Sequence, residues 1–389
     1  MVPNGWKRVP IKEVCHSIID CVNKTAPVVD YETPYKMIRT SNVRNGRVNT
    51  FDVRYVTKET YEQWTRRGAP LKGDVILTRE APVGEVGILE NAEGIFLGQR
   101  LMMYRANKKI ADNYYLFYSL SSAFCQKQIE DYSNGGTVAH MRVPDCGEIL
   151  VNLPPLLEQQ KIAQILLTWD QAISATEKLL ENSQQQKKAL MQQLLTGKKR
   201  LLDENGVMFS SKWLSEKLEK ICAISTGKKD VNEGNPEGIY PFFTCASEPT
   251  ASDSYSYDCE ALLIAGNGNL GKTHYFNGKF EAYQRTYILS KFNEKIQPLY
   301  LYQYILYWLM RDIEREKQHG AMPYIKLGLL QNFNIFIPSI TEQLKIIEVL
   351  SLADQEIETL QKKLDCLKQE KKALMQQLLT GKKRVKVAA

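Results

Sequence analysis

The sequence predicts a mixed α/β fold with two similar globular domains, separated by two long helices packed as an antiparallel coiled coil with pseudo-two-fold symmetry. The first observation behind this prediction is a duplication. Fourteen residues, KKALMQQLLTGKKR, occur at 187–200 and again at 371–384. The match continues upstream, and 26 of 47 positions are identical between 154–200 and 338–384. Solenoid repeats are tens of residues long, so an offset of 184 residues indicates two copies of one large module.

The second observation is the spacing of apolar residues within the duplicated segment. From 346 onward they alternate in steps of four and three, the 3.5-residue repeat of a helix that packs along another helix. Each helix is predicted to have about 38 residues, or roughly 57 Å at 1.5 Å per residue. Proline precedes each start, and Thr-Gly (196–197 and 380–381) supplies each stop. Such a helix has no core of its own, so its twin is the predicted partner.

These positions divide the chain into four parts. The first globular domain is predicted at 1–153, and the first long helix with a linker at 154–207. The second globular domain is predicted at 208–337, followed by the second long helix at 338–389. The apolar helix positions are also candidates for contact with a partner protein: Ile162, Leu166, Trp169, Ile173, Ile346, Leu350, Ile357 and Leu364. A coiled coil that only dimerises the chain is the alternative, but it does not require identity at polar positions.

The third observation is that the two globular domains share a plan. The apolar strand at 75–77 aligns with the apolar strand at 262–264, and Gly84 aligns with Gly271. The Gln-Arg pairs at 99–100 and 284–285 also align. The loop residues differ between the copies. This pattern indicates one retained frame that carries two different specificities.

Further elements follow from local patterns. In the first domain, 34–49 predicts a strand, a polar loop and a second strand, with an Asn-Gly turn at 45–46. An aromatic-rich amphipathic helix is predicted at 113–129, and it aligns with the helix that contains Tyr300. A glycine-rich loop at 133–141 follows the first of these helices.

Composition limits the class of protein. The net charge is +7, with 51 Lys and Arg against 44 Asp and Glu, which favours a polyanionic partner. The eight cysteines form no C-x-x-C pair, so neither a zinc ribbon nor a thioredoxin-like redox site is indicated. The sequence has no signal peptide and no apolar run near eighteen residues. We therefore expect a cytoplasmic protein.

One motif favours a nucleotide site at first sight. Residues 266–273, GNGNLGKT, satisfy the phosphate-binding pattern G-x-x-x-x-G-K-[ST] and follow an apolar strand. That site needs a helix directly after the loop, because the helix N-terminus holds the phosphate. Here the next residues, HYFNGKF, are rich in strand formers with an Asn-Gly turn. We therefore predict a β-hairpin loop in which Lys272 is available to a DNA phosphate.

No catalytic or metal-binding set is expected in this chain. The four histidines show neither H-x-E nor H-E-x-x-H spacing, and there is no G-x-S-x-G motif. An adenine methyltransferase would need an N/D-P-P-F/Y motif and a glycine-rich loop for the methyl donor, and neither is present.

The loops do carry side chains suited to DNA. Arg and Lys bind O6 and N7 of guanine, and Asn and Gln bind N6 and N7 of adenine, in the major groove. Candidates in the first domain are Arg39, Ser41, Asn42, Arg44, Arg79, Gln99, Arg100, Asn134 and Thr137. Candidates in the second domain are Thr244, Ser247, Asn267, Asn269, Lys272, Tyr283, Gln284, Arg285, Tyr324 and Lys326. Any of them could instead be solvated surface, and the two Gln-Arg pairs could instead be structural.

Over its full length the chain resembles the specificity subunits of type I DNA restriction–modification enzymes. The resemblance depends on L-P-P-L-x-E-Q-x-K-I at 153–162, its degraded copy at 337–346, and K-K-A-L-M-Q-Q-L-L-T-G in both helices. Residues 73–79, GDVILTR, are also similar to the first-half strand and loop of that family. The second domain departs there, with EALLIAG at 260–266, so a role for Arg79 does not carry across.

The resemblance implies a chain without catalysis of its own. Each globular domain would be a target-recognition domain that binds one half of an asymmetric, two-part site on double-stranded DNA. The paired helices would recruit two methyltransferase subunits and, in the full enzyme, two restriction subunits. S-adenosylmethionine would bind the methyltransferase, ATP and magnesium would bind the restriction subunit, and no cofactor would bind this chain.

Geometry and chemistry separate the remaining alternatives. Two recognition domains at a fixed separation must meet compatible groove faces, so we expect half-site centres about 34–36 Å apart, roughly one turn of DNA. A specificity subunit binds duplex DNA in a salt-sensitive manner. A nucleotidase would lose hydrolysis on Lys272→Ala, and a coiled-coil scaffold would self-associate without sequence preference.

Overall fold

The computed structural model describes residues 2–133, 139–316 and 324–386 of the chain. Contacts between residues divide it into two compact units. The first unit contains Met1–Glu177 and Lys363–Ala389, and the second contains Lys178–Lys362. Each unit therefore holds one globular domain together with a part of each long helix.

The first domain is a mixed α/β structure. Its strands and helices are β1 (Lys7–Pro10), β2 (Cys15–Asp20), β3 (Lys36–Ile38), β4 (Val43–Arg44), β5 (Gly46–Val48), β6 (Arg54–Tyr55), α1 (Lys58–Thr65), β7 (Val75–Arg79), β8 (Val83–Ile88), β9 (Ile95–Leu97), β10 (Leu101–Ala106), α2 (Asn113–Leu120), α3 (Ala123–Ser133) and β11 (Leu150–Leu153). The first long helix, α4 (Leu156–Leu194), follows directly.

A six-stranded sheet in the order β2-β10-β7-β8-β5-β4 forms the centre of the first domain. The central strand β7 is buried on both faces, which explains its continuous apolar run. Val75 and Leu77 pack with α2 and α3 on one face. Ile76 packs on the other face with residues of β3 and β9. That second face is covered by a three-stranded sheet, β6-β3-β9, with α1 packed against it.

The second domain repeats most of this plan. Its elements are β12 (Leu214–Lys217), β13 (Ala223–Thr226), β14 (Tyr240–Phe243), β15 (Thr250–Ser252), β16 (Tyr257–Ala265), β17 (Thr273–Ala282), β18 (Thr286–Ser290), α5 (Pro298–Glu316), α6 (Leu327–Gln331) and β19 (Asn334–Ile337), followed by the second long helix, α7 (Ile340–Leu378).

The second sheet has the order β13-β18-β16-β17-β14-β15, and its first four strands match those of the first sheet. In both domains a parallel pair leads to the start of the next strand of the sheet, β3 with β9 and β14 with the end of β17. Leu262 and Ile264 pack with α5 on one face, and Leu263 lies on the other. Small two-stranded sheets, β1-β11 and β12-β19, complete the equivalence. The predicted alignment of 75–77 with 262–264 is confirmed.

The aromatic-rich segment at 113–129 forms two helices where one was predicted. The chain turns at Ser121 and Ser122, and the Ser122 hydroxyl accepts a hydrogen bond from the Cys125 amide at 3.3 Å. A serine at this position satisfies an amide that a new helix start leaves unpaired. In the second domain α5 runs unbroken for 19 residues.

The two long helices have 39 residues each, close to the predicted length. Each ends as expected at a left-handed glycine, Gly197 with φ 67° and Gly381 with φ 70°. Within the first unit, Asp170 of α4 pairs with Lys371 of α7. Within the second unit, Lys187 pairs with Asp354. In the first unit Glu158 of α4 also pairs with Arg384, just after α7, and in the second unit Arg200, just after α4, pairs with Glu342 of α7. Within each unit the number rises along one helix as it falls along the other, so the helices pack antiparallel there. None of the described helices combines the length and the apolarity needed to cross a membrane.

Candidate nucleic-acid interface

The loop edge of the first domain is the end of its large sheet at which β7 ends and β10 begins. The Arg79 amide donates to the Arg100 carbonyl at 2.8 Å, and the Met141 amide donates to the Arg79 carbonyl at 2.9 Å. The Gly98 amide donates to the Ile38 carbonyl at 2.8 Å, which adds the segment after β3. This edge brings together four of the predicted DNA contacts, Arg39, Arg79, Gln99 and Arg100.

Arg79 is turned toward the inside of its domain. Its Nη1 donates to the Met141 carbonyl at 2.9 Å, and its buried Nε has no hydrogen-bond partner among the described residues. Burial raises the pKa of the Cys146 thiol to about 11, while the nearby charge of Arg79 acts in the opposite direction. In this conformation Arg79 holds the segment that contains Met141.

Arg100 faces solvent at the same edge. Its side chain is half exposed, and its Nη2 lies 3.2 Å from a carboxylate oxygen of Glu80. Exposed pairs of this kind contribute only about 0–1 kcal/mol, so a phosphate or a guanine can replace the carboxylate at little cost. Gln99 is half-buried, and its Oε1 accepts from the Thr25 hydroxyl at 3.4 Å. Arg100 therefore remains the best-placed cation of this edge.

Asn42 is buried, so the structure does not offer its amide to a base. Its Oδ1 accepts from the Arg39 amide at 2.9 Å, and its Nδ2 donates to the carbonyls of Asn49 and Asp52. All of its main hydrogen-bonding capacity is used within the domain. Arg44 donates to two carbonyls of its own segment, those of Thr40 and Val43, at 3.0 and 2.8 Å.

Four candidates of the first domain complete the set. Ser41 is exposed and Arg39 is partly exposed, and the Nε of Arg39 is buried without a hydrogen-bond partner among the described residues. Asn134 and Thr137 lie outside the described residues, as does Gly136 of the predicted glycine-rich loop.

The loop edge of the second domain is the equivalent end of its sheet, where β16 ends and β18 begins. The Gly266 amide donates to the Arg285 carbonyl at 2.9 Å, and the Ile325 amide donates to the Gly266 carbonyl at 2.8 Å. The Asn269 amide donates to the Cys245 carbonyl at 3.0 Å. Four separate loops thus meet there, and they carry all ten candidates of this domain: Thr244, Ser247, Asn267, Asn269, Lys272, Tyr283, Gln284, Arg285, Tyr324 and Lys326.

These ten side chains differ in accessibility. The exposed ones are Ser247, Asn269, Gln284, Arg285, Tyr324 and Lys326, and the partly buried ones are Asn267, Lys272 and Tyr283. Thr244 is buried, and its hydroxyl accepts from the Ala246 amide at 3.3 Å, so it is better placed to shape its turn than to touch a base. Gln284 donates to Asp230 at 3.2 Å.

The residues GNGNLGKT form a loop between two strands. The segment that follows is β17, which pairs with β16 over eight residues, Tyr257 to Ile264. No helix N-terminus stands there to hold a phosphate, so the predicted β-hairpin loop is confirmed. Gly271 has φ 76°, and a Cβ at this position would lie 2.6 Å from Met310 of α5. The glycine is needed for that close approach.

The two Gln-Arg pairs share a backbone role and differ in side-chain role. The carbonyls of Arg100 and Arg285 accept equivalent bonds from Arg79 and Gly266. Both arginine side chains are exposed, but that of Arg100 also pairs with Glu80 at 3.2 Å. The duplicated pair therefore preserves the turn and leaves its side chains free to differ.

The apolar helix positions face the interior of this chain. Six of the eight predicted partner contacts are buried: Ile162, Leu166, Ile173, Ile346, Leu350 and Leu364. Ile162 and Leu166 pack with Leu378 and Leu379 in the core of the first unit. Trp169 and Ile357 are partly buried. The helical repeat is used to join α4 and α7 and to seat them on the domains, so it does not offer these buried side chains to another protein.

The duplicated polar positions form one carboxylate clamp in each unit. In the first unit, Glu158 accepts two bonds from Arg384, at 2.6 and 2.8 Å, and one from the indole of Trp6 at 3.1 Å. In the second unit, Glu342 accepts two bonds from Arg200, at 2.5 and 2.7 Å, and one from Trp213 at 3.1 Å. Each clamp fastens the end of one long helix to the start of the other.

Adjacent glutamines dock each helix on its domain. Gln159 accepts from the Asp112 amide at 3.0 Å and donates to the Ile110 carbonyl. Gln343 makes the matching bonds with the Gln297 amide, at 2.8 Å, and the Lys295 carbonyl. The Glu-Gln identity between the copies is therefore explained by docking, which packing of the helix pair alone would not require.

A large open cavity of ≈ 1010 Å³ lies within the first unit, beside α2, α3, α4 and α7. Its wall combines rings such as Phe117 with charged groups of the helices. Glu177 of α4 bridges Arg47 at 3.4 Å and Lys368 at 2.9 Å there. Among the residues that the structure describes, no group of three or more possible ligands is placed to hold a metal ion.

One prominent side chain was missed by the sequence analysis. Phe51 is 92% exposed in the turn between β5 and β6. The only signal was a phenylalanine within an otherwise polar stretch, NTFD, after a predicted strand. Solitary exposed apolar residues are common enough that this signal carries little weight without a structure.

Comparisons with known proteins agree with this architecture. The family profile described as type I restriction modification DNA specificity domain matches the chain twice, at residues 3–183 and 210–369. The specificity subunit of the type I restriction enzyme MjaVIII from Methanocaldococcus jannaschii is 26% identical, with 99% of this chain and 94% of that protein covered. The EcoDI specificity subunit from Escherichia coli is 36% identical over 172 residues, but this covers only 43% of this chain and 37% of that subunit.

A solved structure shows the same fold. The type I restriction–modification S subunit from M. genitalium superposes with a TM-score of 0.68 over 97% of this chain and 98% of that one, at 19% identity. A second solved structure, from work on complex assembly and conformational transition of a type I restriction–modification system, gives a TM-score of 0.53 at 18% identity, over 97% of this chain and 98% of that one.

Proposed function

Because the chain belongs to the type I restriction–modification DNA specificity family, we propose that it is the DNA-recognition subunit of such a system and binds a two-part, asymmetric target. The residues at 1–153 and 208–337 act as its two target-recognition domains, and each binds one half of the target. The same proposal places the chain in the cytoplasm with that DNA.

The observation that carries the proposal is the pair of equivalent loop edges. Both edges lie at the same end of sheets whose first four strands match in order, and both gather polar side chains from several loops. The side chains differ in part, since Arg79 of the first edge has Gly266 as its counterpart, whereas Arg100 and Arg285 are both arginine. A shared frame with unlike edges suits two unlike half-sites.

Base recognition is supported by the chemistry of the exposed members. Arg100 and Arg285 are exposed cations that suit guanine or phosphate, and Asn269 and Gln284 are amides that suit adenine. The net charge of +7 favours a polyanion in addition. Duplex binding by these groups should weaken steeply as salt rises.

Catalysis is assigned to partner subunits. Two methyltransferase subunits, and in a full enzyme two restriction subunits, assemble on this chain. S-adenosylmethionine binds the methyltransferase, ATP and magnesium bind the restriction subunit, and this chain binds no cofactor. Because the apolar seam is used inside the chain, the methyltransferase docks on exposed helix surface and on the open cavity of the first unit.

The test is methylation sequencing in a host that carries this chain and a type I methyltransferase subunit as its only adenine methylation system. We expect one asymmetric, two-part motif with methylated adenine. Replacement of residues 1–150 by the same region of a family member of different specificity should change one half of the motif and leave the other unchanged. A change in both halves, or motif-independent methylation, would contradict the proposal.

A further inference from the structure

Phe51 is the most exposed large apolar side chain among the described residues, at 92%. It stands at the tip of the turn that joins β5 to β6. Exposed apolar groups gain free energy only when a partner removes them from water. Whether the ring has one defined position depends on the hydrogen bonds that fix the backbone of the turn.

The turn is held by two asparagines. The Asn49 carboxamide oxygen accepts from the amides of Phe51 at 2.8 Å and Asp52 at 3.2 Å. The buried Asn42 donates to the Asn49 carbonyl at 3.0 Å, and the Asn49 amide donates to the Asn42 carbonyl at 2.8 Å. Such a turn presents Phe51 in one place, so little conformational entropy is lost when the ring meets a partner.

The same contacts attach the turn to the loop edge of the first domain. Asn42 accepts from the amide of Arg39, which directly follows β3 at that edge. Two exposed arginines flank the turn, Arg47 on β5 and Arg54 on β6. Arg47 also lies 3.4 Å from Glu177. The turn thus joins two strands that each carry an exposed arginine, beside the edge assigned to DNA.

The tip itself is unsuited to phosphate. Asp52 follows Phe51 and is exposed, and its carboxylate would be repelled by a phosphate while it can accept a bond from the amino group of cytosine. Aromatic and apolar side chains meet DNA either at the methyl group of thymine or between two bases that they partly unstack. Both modes use the apolar surface of a base.

We propose that Phe51 is a specificity-determining contact on the apolar surface of a DNA base, in the half-site bound by the first domain. This proposal rests on the function proposed above. In the second domain the strands that pair in the same way are β15-β14-β17, and residues 244–249, which connect β14 to β15, contain no phenylalanine. The contact therefore belongs to one half-site only.

The experiment compares wild type with Phe51→Ala in the complete complex with its methyltransferase. The probe is a fluorescent duplex that carries the motif found by methylation sequencing, and a shuffled duplex measures non-specific binding. We expect Phe51→Ala to bind the motif about tenfold more weakly and the shuffled duplex equally well. Phe336→Ala is the control, because Phe336 is also an exposed phenylalanine but lies on β19, in the small sheet of the second domain.

Base analogues distinguish the two modes. Uracil in place of one thymine of the first half-site should weaken wild type about tenfold and leave Phe51→Ala unchanged if the methyl group is the partner. 2-Aminopurine at one step should brighten with wild type and not with Phe51→Ala if the ring enters the stack. Either result supports the proposal.

Other results separate the two levels of the argument. Equal binding of the motif by wild type and Phe51→Ala would overturn this inference and leave the proposed function intact. A weakening confined to the other half-site would overturn it as well. Failure of the wild-type complex to prefer the motif would overturn the proposed function first.

Discussion

The two globular domains keep the same sheet and change its loop edge. Four strands of the two large sheets match in order, and the parallel pair β3-β9 has its counterpart in β14-β17. The first domain adds α1 after β6 and uses short central strands of five and six residues. The second domain lengthens the same hairpin to nine and ten residues. The two domains thus share a frame and differ in the elements around it, and their edge loops, where we propose that DNA binds, differ in sequence.

The similarity between the two units includes individual hydrogen bonds at the ends of the long helices. The carboxylate clamps and the docking glutamines repeat with the same donors and nearly the same distances. One asymmetry remains. The Arg384 side chain is 43% exposed, whereas that of Arg200 is 20% exposed. The two clamps therefore have equal bonding and unequal access to water.

The largest expected effect is the loss of stability caused by substitutions in the core between the long helices and the domains. Leu166→Ala and Leu350→Ala each remove a fully buried side chain, and each should lower the stability of its own unit by about 2–5 kcal/mol. Hydrogen exchange measured by mass spectrometry would report it as lost protection in that unit. The control is Leu179→Ala, because Leu179 is exposed on α4. If a variant kept its amides fully protected from exchange but no longer bound the methyltransferase, these leucines would instead be contacts with the partner protein.

The clamps should respond unequally to loss of their carboxylate. Glu342→Ala leaves the more buried Arg200 without its partner and should cost about 3 kcal/mol, whereas Arg384 can be hydrated after Glu158→Ala, so the first unit should lose less stability. Exchange of the amides in β12-β19 and β1-β11 measures each side. Glu204→Ala, at an exposed position of the linker, is the control. Equal losses would show that exposure of the arginine does not decide the cost.

The loop edges should respond separately in DNA binding. Arg100→Ala and Arg285→Ala should each relax recognition in one half-site, with a cost of about 1–3 kcal/mol if the contact is a guanine. Binding titrations with duplexes altered in one half at a time would measure it. Lys12→Ala removes a cation paired with Glu148, beside the small sheet, and should leave both halves unaffected. A loss shared by both half-sites would indicate contact with phosphate.

The smallest expected effect is a dependence of stability on pH that arises from His274 in the second domain. Burial, and next the charge of Lys272, lower the pKa of His274 below its usual 6.5, against the opposite effect of Glu248. The unfolded chain then binds a proton at a higher pH than the folded one. Stability is therefore complete above pH 6.5 and falls as the pH drops below it.

Urea denaturation on either side of pH 6.5 tests this expectation, with His274→Gln as the comparison. The variant should lose part of the pH dependence. Since His274 is only half-buried, the difference will be small. Identical pH dependence in the two proteins would remove His274 as its source.

Local patterns in the sequence were sufficient for the helices and for the hairpin loop. The 3.5-residue repeat, the proline starts and the glycine stops all act within a few residues, so the lengths of α4 and α7 could be predicted. The residues after GNGNLGKT exclude a helix for the same local reason. The break at Ser122 escaped prediction, because the apolar pattern continues through it.

Side-chain direction could not be predicted at the candidate interface. Asn42 and Ser41 are neighbours of similar chemistry, yet one is buried and the other exposed. Asn42 is buried because its side chain donates to carbonyls of the turn at 49–53, and no local sequence pattern predicts that contact. The apolar helix positions were found correctly as a set, but their partner lies within the chain. Only the tertiary contacts decide between an internal partner and an external one.

The composition of the first unit has a consequence for the order in which the protein is made. Its core includes Leu378 and Leu379, and its clamp includes Arg384. The ribosome must therefore finish nearly the whole chain before the N-terminal domain can close, which at typical translation rates is about 10–40 s after residue 177 emerges. All parts of the second unit are complete by residue 362. The domain synthesised second is thus the first that can be finished, and the core of the first unit stays incomplete until residues 378–384 have been made.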